Sequence, residues 1–340
     1  MTRIFANANY DFIGVRRRAY GITAVLLVVG LIGFFAFGVN YSVEFTGGTL
    51  VQIETKNPVD VANLRTGLDQ AGVLHAEIQQ FGSDREYVIR ARTAAQGTDA
   101  DNTEQTGKAI SGALDKVLGA GAYTISRTEG VGPKVGAELR QKAVFAILLS
   151  FVAVLAYLAY RFEWRFGLAA VIATAHDILT TLGFIFIMRI EVSLVVVGAV
   201  LSMVGYSLND TIIIFDRVRE DLRKMRGVPF GTVLNRAINE TLPRSVLTHG
   251  TTLSTLLALA LLGGEVIRPF ALVMFFGVVT GTFSSIFIAS PVLLWIEQRW
   301  PGAAVKHLGS PAPKPTLPAA STGPGGGATT GSRKARTTVA

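Results

Sequence analysis

The stretch that decides the fold is Gly198–Glu220, which reads GAVLSMVGYSLNDTIIIFDRVRE. Its apolar run is long enough to cross a membrane as one helix, and Asn209 and Asp210 lie in the later half of that run. A carboxylate inside a spanning helix is costly unless it is paired, hydrated or protonated, so its default interpretation is a group on an ion or proton path. The stretch therefore predicts a membrane protein of transport or energy coupling.

The composition agrees with a membrane protein. Of the 340 residues, 50% are hydrophobic and 16% are charged, whereas a soluble domain carries about a quarter charged residues. The net charge is +8, but acidic and basic residues nearly balance over residues 40–143, and the basic excess lies beside the ends of apolar segments. That distribution is typical of membrane topology and argues against a nucleic acid partner.

The chemistry that the sequence excludes narrows the function further. There is no cysteine, so disulfides, thiol catalysis and cysteine-ligated metals are ruled out. No metal-ligand cluster, nucleophilic triad or phosphate-binding loop occurs along the chain. We therefore expect neither a cofactor nor a metal, and a protein that is not an enzyme.

Six apolar segments reach the length that crosses the hydrocarbon core: Tyr20–Val39, Ala143–Tyr160, Gly167–Met188, Val192–Phe215, Val246–Leu262 and Phe270–Ile296. The first has the basic start of a signal peptide, but its length and weak cleavage pattern favour a retained helix. Basic residues concentrate before the first segment, between the second and third, and in a loop predicted at 216–245. Both termini are therefore predicted to be cytoplasmic.

An extracytoplasmic (periplasmic) domain is predicted at residues 40–140, between the first and second membrane helices. Its predicted elements are a strand at Val43–Glu54, a helix at Pro58–Ala71, strands at Ala76–Phe81 and Glu86–Arg92, a helix at Thr103–Leu118 and a strand at Ala122–Arg127. The order β-α-β-β-α-β is that of a ferredoxin-like fold. The fold class is thus a polytopic α-helical membrane protein with a small α+β domain.

The predicted domain boundaries follow from these segments. They are a cytoplasmic N-terminus at 1–19, a first membrane helix at 20–39, the external domain at 40–140, a bundle of helices two to six at 141–300, and a tail at 301–340. The tail is rich in Pro, Gly, Ser, Ala and Thr with a basic tip, and this composition predicts disorder.

Asp210 is the first candidate site residue. Gly198, Ser202, Gly205 and Asn209 recur every three or four residues, which forms a stripe of small residues that lets another helix approach closely. Asp210 lies on an adjacent face, so we expect it near a helix–helix contact. The alternative is an acid buried only for packing or hydrogen bonding.

Arg244 is the best candidate partner for that acid. It follows Pro243 at the predicted start of the fifth helix, at a depth similar to that of Asp210. A guanidinium keeps its proton, so Arg244 would act by moving towards or away from the acid. The alternative is a basic anchor that extends to the lipid headgroups.

Other polar residues could support a proton path. Tyr206 lies near Asp210 on the same helix, His176 and Asp177 lie in the third segment, and His249 lies one turn inside the fifth. For His176, Asp177 and His249, structural hydrogen bonds between helices are at least as good an explanation. Asp216 is interpreted mainly as an interfacial ion-pairing residue, with gating as the alternative.

Several motifs resemble those of the SecD/SecF family of bacterial protein-export subunits, which belongs to the resistance–nodulation–division superfamily. They are FTGGT at 45–49, VGPKVGAEL at 131–139, HD at 176–177, GYSLNDTIIIFDRVRE at 205–220 and the segment Arg244–Thr248. The motifs occur in the family's order and cover almost everything except the tail. Two departures are Glu44, where Asp is expected, and Phe215, where Ser is common.

The resemblance implies a SecF-like subunit that forms a twelve-helix unit with SecD, associates with the SecYEG channel and uses the proton-motive force to pull an exported polypeptide outward. It also implies that Asp210 and Arg244 take part in proton conduction. The expected partners are SecD, SecYEG, the translocating polypeptide, protons and membrane lipids. The alternatives are a half-size proton-coupled exporter of drugs or lipids and a subunit that only stabilises the translocon.

Overall fold

The computed structural model describes residues 8–71, 73, 76–80, 83–91, 99–225, 227–302 and 305. Within them are six helices that are long and apolar enough to cross a membrane. The prediction of six membrane-spanning helices is therefore confirmed. The predicted tail, apart from residues 301, 302 and 305, and the first seven residues lie outside the described residues, as do Gly72, Phe81 and Arg92.

The membrane helices are α1, α5, α6, α7, α8 and a composite sixth helix. Their bounds are Arg16–Phe37 for α1, Pro133–Arg161 for α5, Trp164–Ile187 for α6, Leu194–Lys224 for α7 and Phe230–Leu262 for α8. The sixth consists of α9 (Gly264–Ser284), one π-helical turn (Ser285–Ala289) and α10 (Ser290–Arg299). Helices α6, α7 and α9 form the centre of the bundle, whereas α1 and α5 bury little of their surface within this chain.

The predicted loop at 216–245 is wrong, because most of it is helical. Helix α7 continues to Lys224 and α8 already begins at Phe230. Hydropathy marks only the part of a helix that lies in lipid, whereas these extensions are held by ion pairs: Arg217 with Glu220 and Glu240, Lys224 with Glu220, and Arg236 with Glu240. Pro243 and Arg244 therefore lie inside α8 and not at its start.

The α+β domain has the predicted order of elements. Strand β1 is Gly48–Thr55, β2 is Glu77–Gln80, β3 is Glu86–Ala91 and β4 is Tyr123–Val131, while the two helices are α3 (Val61–Gln70) and α4 (Asp99–Leu118). The sheet order is β2-β3-β1-β4 and every pairing is antiparallel. Strand β3 is thus inserted between β1 and β2, which is the ferredoxin-like arrangement that the sequence predicted.

Four boundaries of this domain differ from the prediction by three residues or more, and one of them is the start of α4, at Asp99 instead of Thr103. Val43–Thr46 is a single helical turn, α2, because Gly47 and Gly48 have φ values of 74° and 131° that separate it from β1. The helix predicted from Pro58 begins at Val61, where the Asp60 side chain accepts a hydrogen bond from the Ala62 amide at 2.7 Å. The last strand extends four residues beyond the predicted end.

Each half of the molecule has its own apolar core. In the α+β domain, one face of the sheet packs against α3 and α4 through buried residues that include Ile53, Leu64, Leu68, Ile89, Ile110 and Leu114. In the bundle, the largest buried cluster joins α6, α7, α8 and the sixth helix. Helix α1 joins the bundle mainly through α6, where Gly30 and Gly183 face each other closely enough that a Cβ on either would lie 2.8 Å from the other's Cα.

Candidate functional site

Asp210 lies in the contact between α7 and α8. Its residue is 2% exposed, and its Oδ1 accepts a hydrogen bond from the Ser245 hydroxyl at 2.5 Å. Its Oδ2 is buried and has no hydrogen-bond partner among the described residues. The predicted position near a helix–helix contact is therefore what the structure shows, and one carboxylate oxygen remains available for a proton or another ligand.

Arg244 lies beside Ser245 in α8, but its side chain is exposed. Among the described residues it makes no hydrogen bond and no ion pair within 4.0 Å. The structure thus places Arg244 one residue from the hydroxyl that contacts Asp210 without joining the two charges. In this conformation the guanidinium lies outside the bundle core.

His249 and Tyr206 extend the polar contact along the same two helices. The His249 ring is buried, and its Nδ1 lies 2.7 Å from the Thr282 hydroxyl of α9. The Tyr206 ring lies 5.3 Å from the His249 ring, centroid to centroid, and its hydroxyl donates to Thr252 at 2.8 Å. A line of polar side chains therefore runs along the α7–α8 contact from Asp210.

Asp177 is the centre of a second polar cluster. It is fully buried, and its Oδ2 accepts hydrogen bonds from Ser207 of α7 at 2.5 Å and Ser284 of α9 at 2.7 Å. Its Oδ1 lies 2.9 Å from the Nδ1 of His176. One carboxylate thus connects three helices. For Asp177 the geometry displays the predicted hydrogen bonds between helices, whereas the His176 ring forms a hydrogen bond only with Asp177 on its own helix, and its Nε2 has no hydrogen-bond partner among the described residues.

The π-helical turn lies directly beside this cluster. Ser285 begins the turn, and its hydroxyl lies 2.8 Å from that of Thr211, the residue after Asp210. A π-helical turn inside an α-helix is uncommon and frequently marks a functional site. The two carboxylates are therefore linked through adjacent residues: Asp210 precedes Thr211 on α7, and Ser285 follows Ser284 on the sixth helix.

The serines around the two acids were not among the site residues predicted from the sequence: three of them donate to an acid, and Ser285 contacts Thr211. Ser207, Ser245, Ser284 and Ser285 are all buried and hydrogen-bonded. Two signals were present: Ser207 stands three residues before Asp210, on nearly the same helix face, and Ser284 and Ser285 form an adjacent pair within an apolar segment. Isolated serines are common in membrane helices, so neither signal distinguishes these four from the others.

No described helix of this chain covers the stripe of small residues on α7. Ser202, Gly205 and Asn209 are exposed, and a Cβ built on Gly198 or Gly205 would meet nothing within 4 Å. The close approach that the stripe predicts therefore does not occur within the described chain. Asn209 shares this open face and is separate from the cluster around its neighbour Asp210.

Asp216 lies further along α7, outside both clusters. Its carboxylate pairs with Arg161 at the end of α5 at 2.5 Å and with Arg219 at 3.7 Å, and the carboxylate is 39% exposed. This is the ion pairing near the end of a membrane helix that we expected of it. Its gating role stays a prediction.

The chemistry available at the site is proton binding and electrostatics. Within the described residues, no group of three or more His, Cys, Asp or Glu side chains is arranged to hold a metal ion. Both oxygens of Asp177 are engaged by three neighbours, whereas Asp210 has one neighbour and one free oxygen. Of the two acids, Asp210 is the one whose surroundings leave room for a change of protonation state.

Fold and site together define a multi-pass membrane protein with an α+β domain inserted after its first helix and acids buried among its central helices. The family model for the C-terminal part of the protein export membrane proteins SecD/SecF matches residues 112–299. A second family model, for the SecD/SecF GG motif, matches residues 32–59. The chain belongs to the SecD/SecF family and is a multi-pass protein of the bacterial inner membrane.

Curated relatives match this chain over nearly its whole length. The protein translocase subunit SecF of Gemmatimonas aurantiaca is 58% identical over 304 residues, which cover 88% of this chain and 91% of that protein. The protein of the same name from Magnetococcus marinus is 41% identical, covering 87% of this chain and 94% of that one.

A solved structure shares the fold. The translocon-associated membrane protein SecDF from Thermus thermophilus superimposes with a TM-score of 0.75 at 36% identity, over 86% of this chain. A second structure of SecDF, in a super-membrane-facing form, gives a TM-score of 0.62 at 35% identity. This chain spans 39% of the length of each SecDF chain.

Proposed function

We propose that this chain is the SecF-like subunit of a SecD–SecF complex that couples the proton-motive force to late steps of protein export through the SecYEG channel. The names of its relatives, protein translocase subunits, and of the translocon-associated SecDF support this assignment. They do not favour a half-size exporter of drugs or lipids. The observation that carries the coupling role is the buried Asp210 carboxylate with one unpartnered oxygen.

The proposed cycle is a change in the charge of Asp210. A neutral acid is tolerated inside the bundle, and an ionised one requires a compensating group. Ser245 donates one hydrogen bond, and Arg244, the preceding residue of α8, brings a permanent positive charge to the same turn. Inward movement of the guanidinium would stabilise the ionised acid, and outward movement would favour proton uptake.

The available energy is sufficient for a conformational change. One elementary charge that crosses 100 mV releases about 2.3 kcal/mol. That amount biases a two-state element strongly if the two states differ in their contacts. The α+β domain is the element that this energy would reorient against the translocating polypeptide.

The open face of α7 supports SecD as a partner. Ser202, Gly205 and Asn209 lie at the middle of a membrane helix and are uncovered in the described chain. Small residues in such a position allow a helix of another subunit to approach closely and to form interhelical hydrogen bonds. In the proposed complex a helix of SecD covers this stripe, while lipids cover α1 and α5.

Asp210→Asn tests the proposal. Asn is nearly isosteric and neutral, so we expect the complex with SecD to assemble normally and the stimulation of export by membrane potential to be lost. The measurement is export into membrane vesicles with and without an imposed potential, together with co-purification of SecD. The matched control is Glu220→Gln, an exposed carboxylate further along the same helix, which we expect to retain the stimulation.

Two outcomes would separate the alternatives. Normal stimulation in Asp210→Asn removes this acid from the mechanism. If the wild-type protein binds SecD but adds no potential-dependent export, the chain is a structural subunit of the translocon and not a coupling one.

A further inference from the structure

The α+β domain touches the loop between α6 and α7 through three kinds of contact. Arg90 of β3 forms an ion pair with Glu191 of that loop. The Glu44 carboxylate of α2 accepts a hydrogen bond from the backbone amide of Leu194, the first residue of α7, at 2.6 Å. Backbone bonds between residues 40–42 and Val192 complete the contact.

The ion pair is shielded from solvent. The Arg90 side chain is 12% exposed and the Glu191 side chain 25%, whereas the surface pair of Lys108 and Glu104 is at least 70% exposed on both sides. Burial raises the pKa of the Glu191 carboxyl, against the lowering effect of Arg90. Exposed ion pairs contribute little to stability. Removing one partner of a shielded pair leaves an uncompensated charge and is strongly destabilising.

The pair borders a cavity between the domain and the bundle. This cavity has a volume of about 400 Å³, and its lining includes Ser42, Glu44, Arg90 and Glu191. The Nε of Arg90, the Oε1 of Glu191 and the hydroxyl of Ser42 have no hydrogen-bond partner among the described residues. Helix α2 also packs on the start of α5, where Gly136 lies against the backbone of Glu44, Phe45 and Gly47. At the α6–α7 loop, by contrast, the domain meets the bundle through a few specific polar contacts beside open space.

The loop itself is held in one conformation. Arg189 has a φ of 54°, which is unusual for a residue other than glycine. Its carbonyl accepts a hydrogen bond from the Asn40 side chain at 3.1 Å, and its guanidinium donates to the Phe37 carbonyl at 2.8 Å. A loop fixed in this way transmits a displacement of α6 or α7 instead of absorbing it.

We propose that Arg90, Glu191 and Glu44 form a mechanical link through which movements of α6 and α7 turn the α+β domain. Helix α6 carries Asp177 and α7 carries Asp210. The loop that joins the end of α6 to the start of α7 contains Glu191, which pairs with Arg90. On the domain side the link acts on β3, which pairs with both β1 and β2. A pull on β3 is therefore shared by the whole sheet. The inference rests on the proposed coupling function.

Reversal of the charges tests the link directly. Arg90→Glu and Glu191→Arg each place like charges in contact, and the double variant restores an opposite pair in reversed order. Because the chain has no cysteine, spin labels can be placed at Asp84→Cys in the domain and Ile267→Cys on α9 without background labelling. We expect each single reversal to lengthen and broaden the label-to-label distance in the purified protein, and the double reversal to restore it.

The label-to-label distance does not depend on proton coupling, so the outcome of this experiment is independent of the proposed function. Unchanged distances in both single variants overturn the link. A double reversal that remains as displaced as the singles also overturns it, because then the substitutions act by damaging the fold and not by breaking a pair.

A covalent replacement tests whether the link carries the movement. In Arg90→Cys with Glu191→Cys the ion pair is lost, and we expect the stimulation of export by membrane potential to fall; a short bis-maleimide cross-link between the two cysteines should restore it. The matched control is Glu77→Cys with Arg90→Cys, since these residues are register partners on β2 and β3. Its cross-link stays within the sheet, and we expect no rescue.

The outcomes distinguish the two proposals. Failure of the Arg90–Glu191 cross-link to rescue, or equal rescue in the Glu77 control, overturns the link. If Asp210→Asn abolishes stimulation in the same assay while loss of Arg90 or Glu191 does not, the coupling function stands and only the link is rejected.

Discussion

Two carboxylates inside the bundle have opposite surroundings. Asp177 receives hydrogen bonds from three helices and is fully buried, whereas Asp210 receives one and keeps a free oxygen. In hydrocarbon a polar group without partners is expensive, so a fully satisfied acid stabilises helix packing and an incompletely satisfied one is retained for another reason. The first is therefore a structural centre, and the second suits a reaction in which protons are bound and released.

Stability measurements should separate the two acids. Asp177→Ala leaves the hydroxyls of Ser207 and Ser284 and the ring of His176 without their acceptor, and we expect a loss of about 2–4 kcal/mol in the free energy of unfolding. Asp210→Ala removes one hydrogen bond and should cost about 1 kcal/mol. Thermal unfolding of the purified variants in detergent gives the comparison. Equal losses would contradict the distinction drawn between the two acids.

Arg244→Lys tests the role of the exposed guanidinium. Lysine keeps the positive charge but loses the planar fork, so a guanidinium that moves in to meet the carboxylate should not be replaced efficiently. We expect proton flux in reconstituted vesicles to fall by roughly tenfold or more, which corresponds to about 1.4 kcal/mol. Arg223→Lys, exposed near the end of α7, is the matched control. Unchanged flux would make Arg244 an anchor at the lipid headgroups.

The sequence identifies charged residues in the membrane but not the neighbours that determine what they do. Asp177 and Asp210 stand out because acids are rare in spanning helices. The hydroxyls that hold them come from distant segments, since Ser284 is 107 residues from Asp177. Serine gives no distinctive signal in an apolar segment, so the difference between the two acids emerges only from the folded bundle.

At the scale of elements, apolar periodicity and length predict where helices cross the membrane but not where they end. Helices α7 and α8 continue as polar helices beyond the apolar segments because Arg217, Glu220 and Glu240 pair along and between them. The β-α-β-β-α-β order was predictable from alternation and turn residues. The helical turn at Val43–Thr46 was not, because the alternating pattern runs through it and only the backbone angles of Gly47 and Gly48 interrupt the strand.

The contact between α1 and α6 depends on a pair of glycines. A Cβ on Gly30 would lie 2.8 Å from the Cα of Gly183, a backbone atom that cannot move aside alone. Gly30→Ala should therefore push α1 away from α6 and destabilise the protein by about 1–3 kcal/mol. Gly21→Ala on the same helix is the control, because a Cβ there meets nothing within 4 Å. Thermal unfolding in detergent should show a loss for the first variant only; equal effects would mean that the clash is absorbed.

At the scale of the whole molecule, the two halves have separate cores, and they meet where α2 packs on the start of α5 and through polar contacts at the α6–α7 loop. The bundle's apolar cluster and that of the sheet share no residue. Because the contacts at the α6–α7 loop are an ion pair, a carboxylate at a helix start and short backbone bonds, the domain can turn about the α2–α5 contact without opening either core. This division is what a protein needs if charge movement within the membrane is to cause movement outside it.

The orientation of the chain in the membrane gives a test of the whole arrangement. The end of the bundle away from the α+β domain carries the basic residues of the α7 and α8 extensions, including Arg217, Arg223 and Lys224, and basic residues are retained on the cytoplasmic side. We therefore expect a single cysteine at Arg223→Cys to react with a membrane-impermeant maleimide only after the cells are permeabilised. Asp84→Cys, exposed in the α+β domain, should react in intact spheroplasts.

The cysteine-free sequence makes this measurement unambiguous, since every labelled thiol is the introduced one. Labelling of Arg223→Cys in intact spheroplasts, with Asp84→Cys protected, would show that the topology is the reverse of the predicted one. Asp210 would then lie nearer the outer face, because it precedes the polar extension of α7 by only a few turns. A proton that reached it from outside would have crossed little of the membrane potential on binding there. The labelling pattern thus decides whether the buried acid is positioned to use most of that potential before its proton leaves.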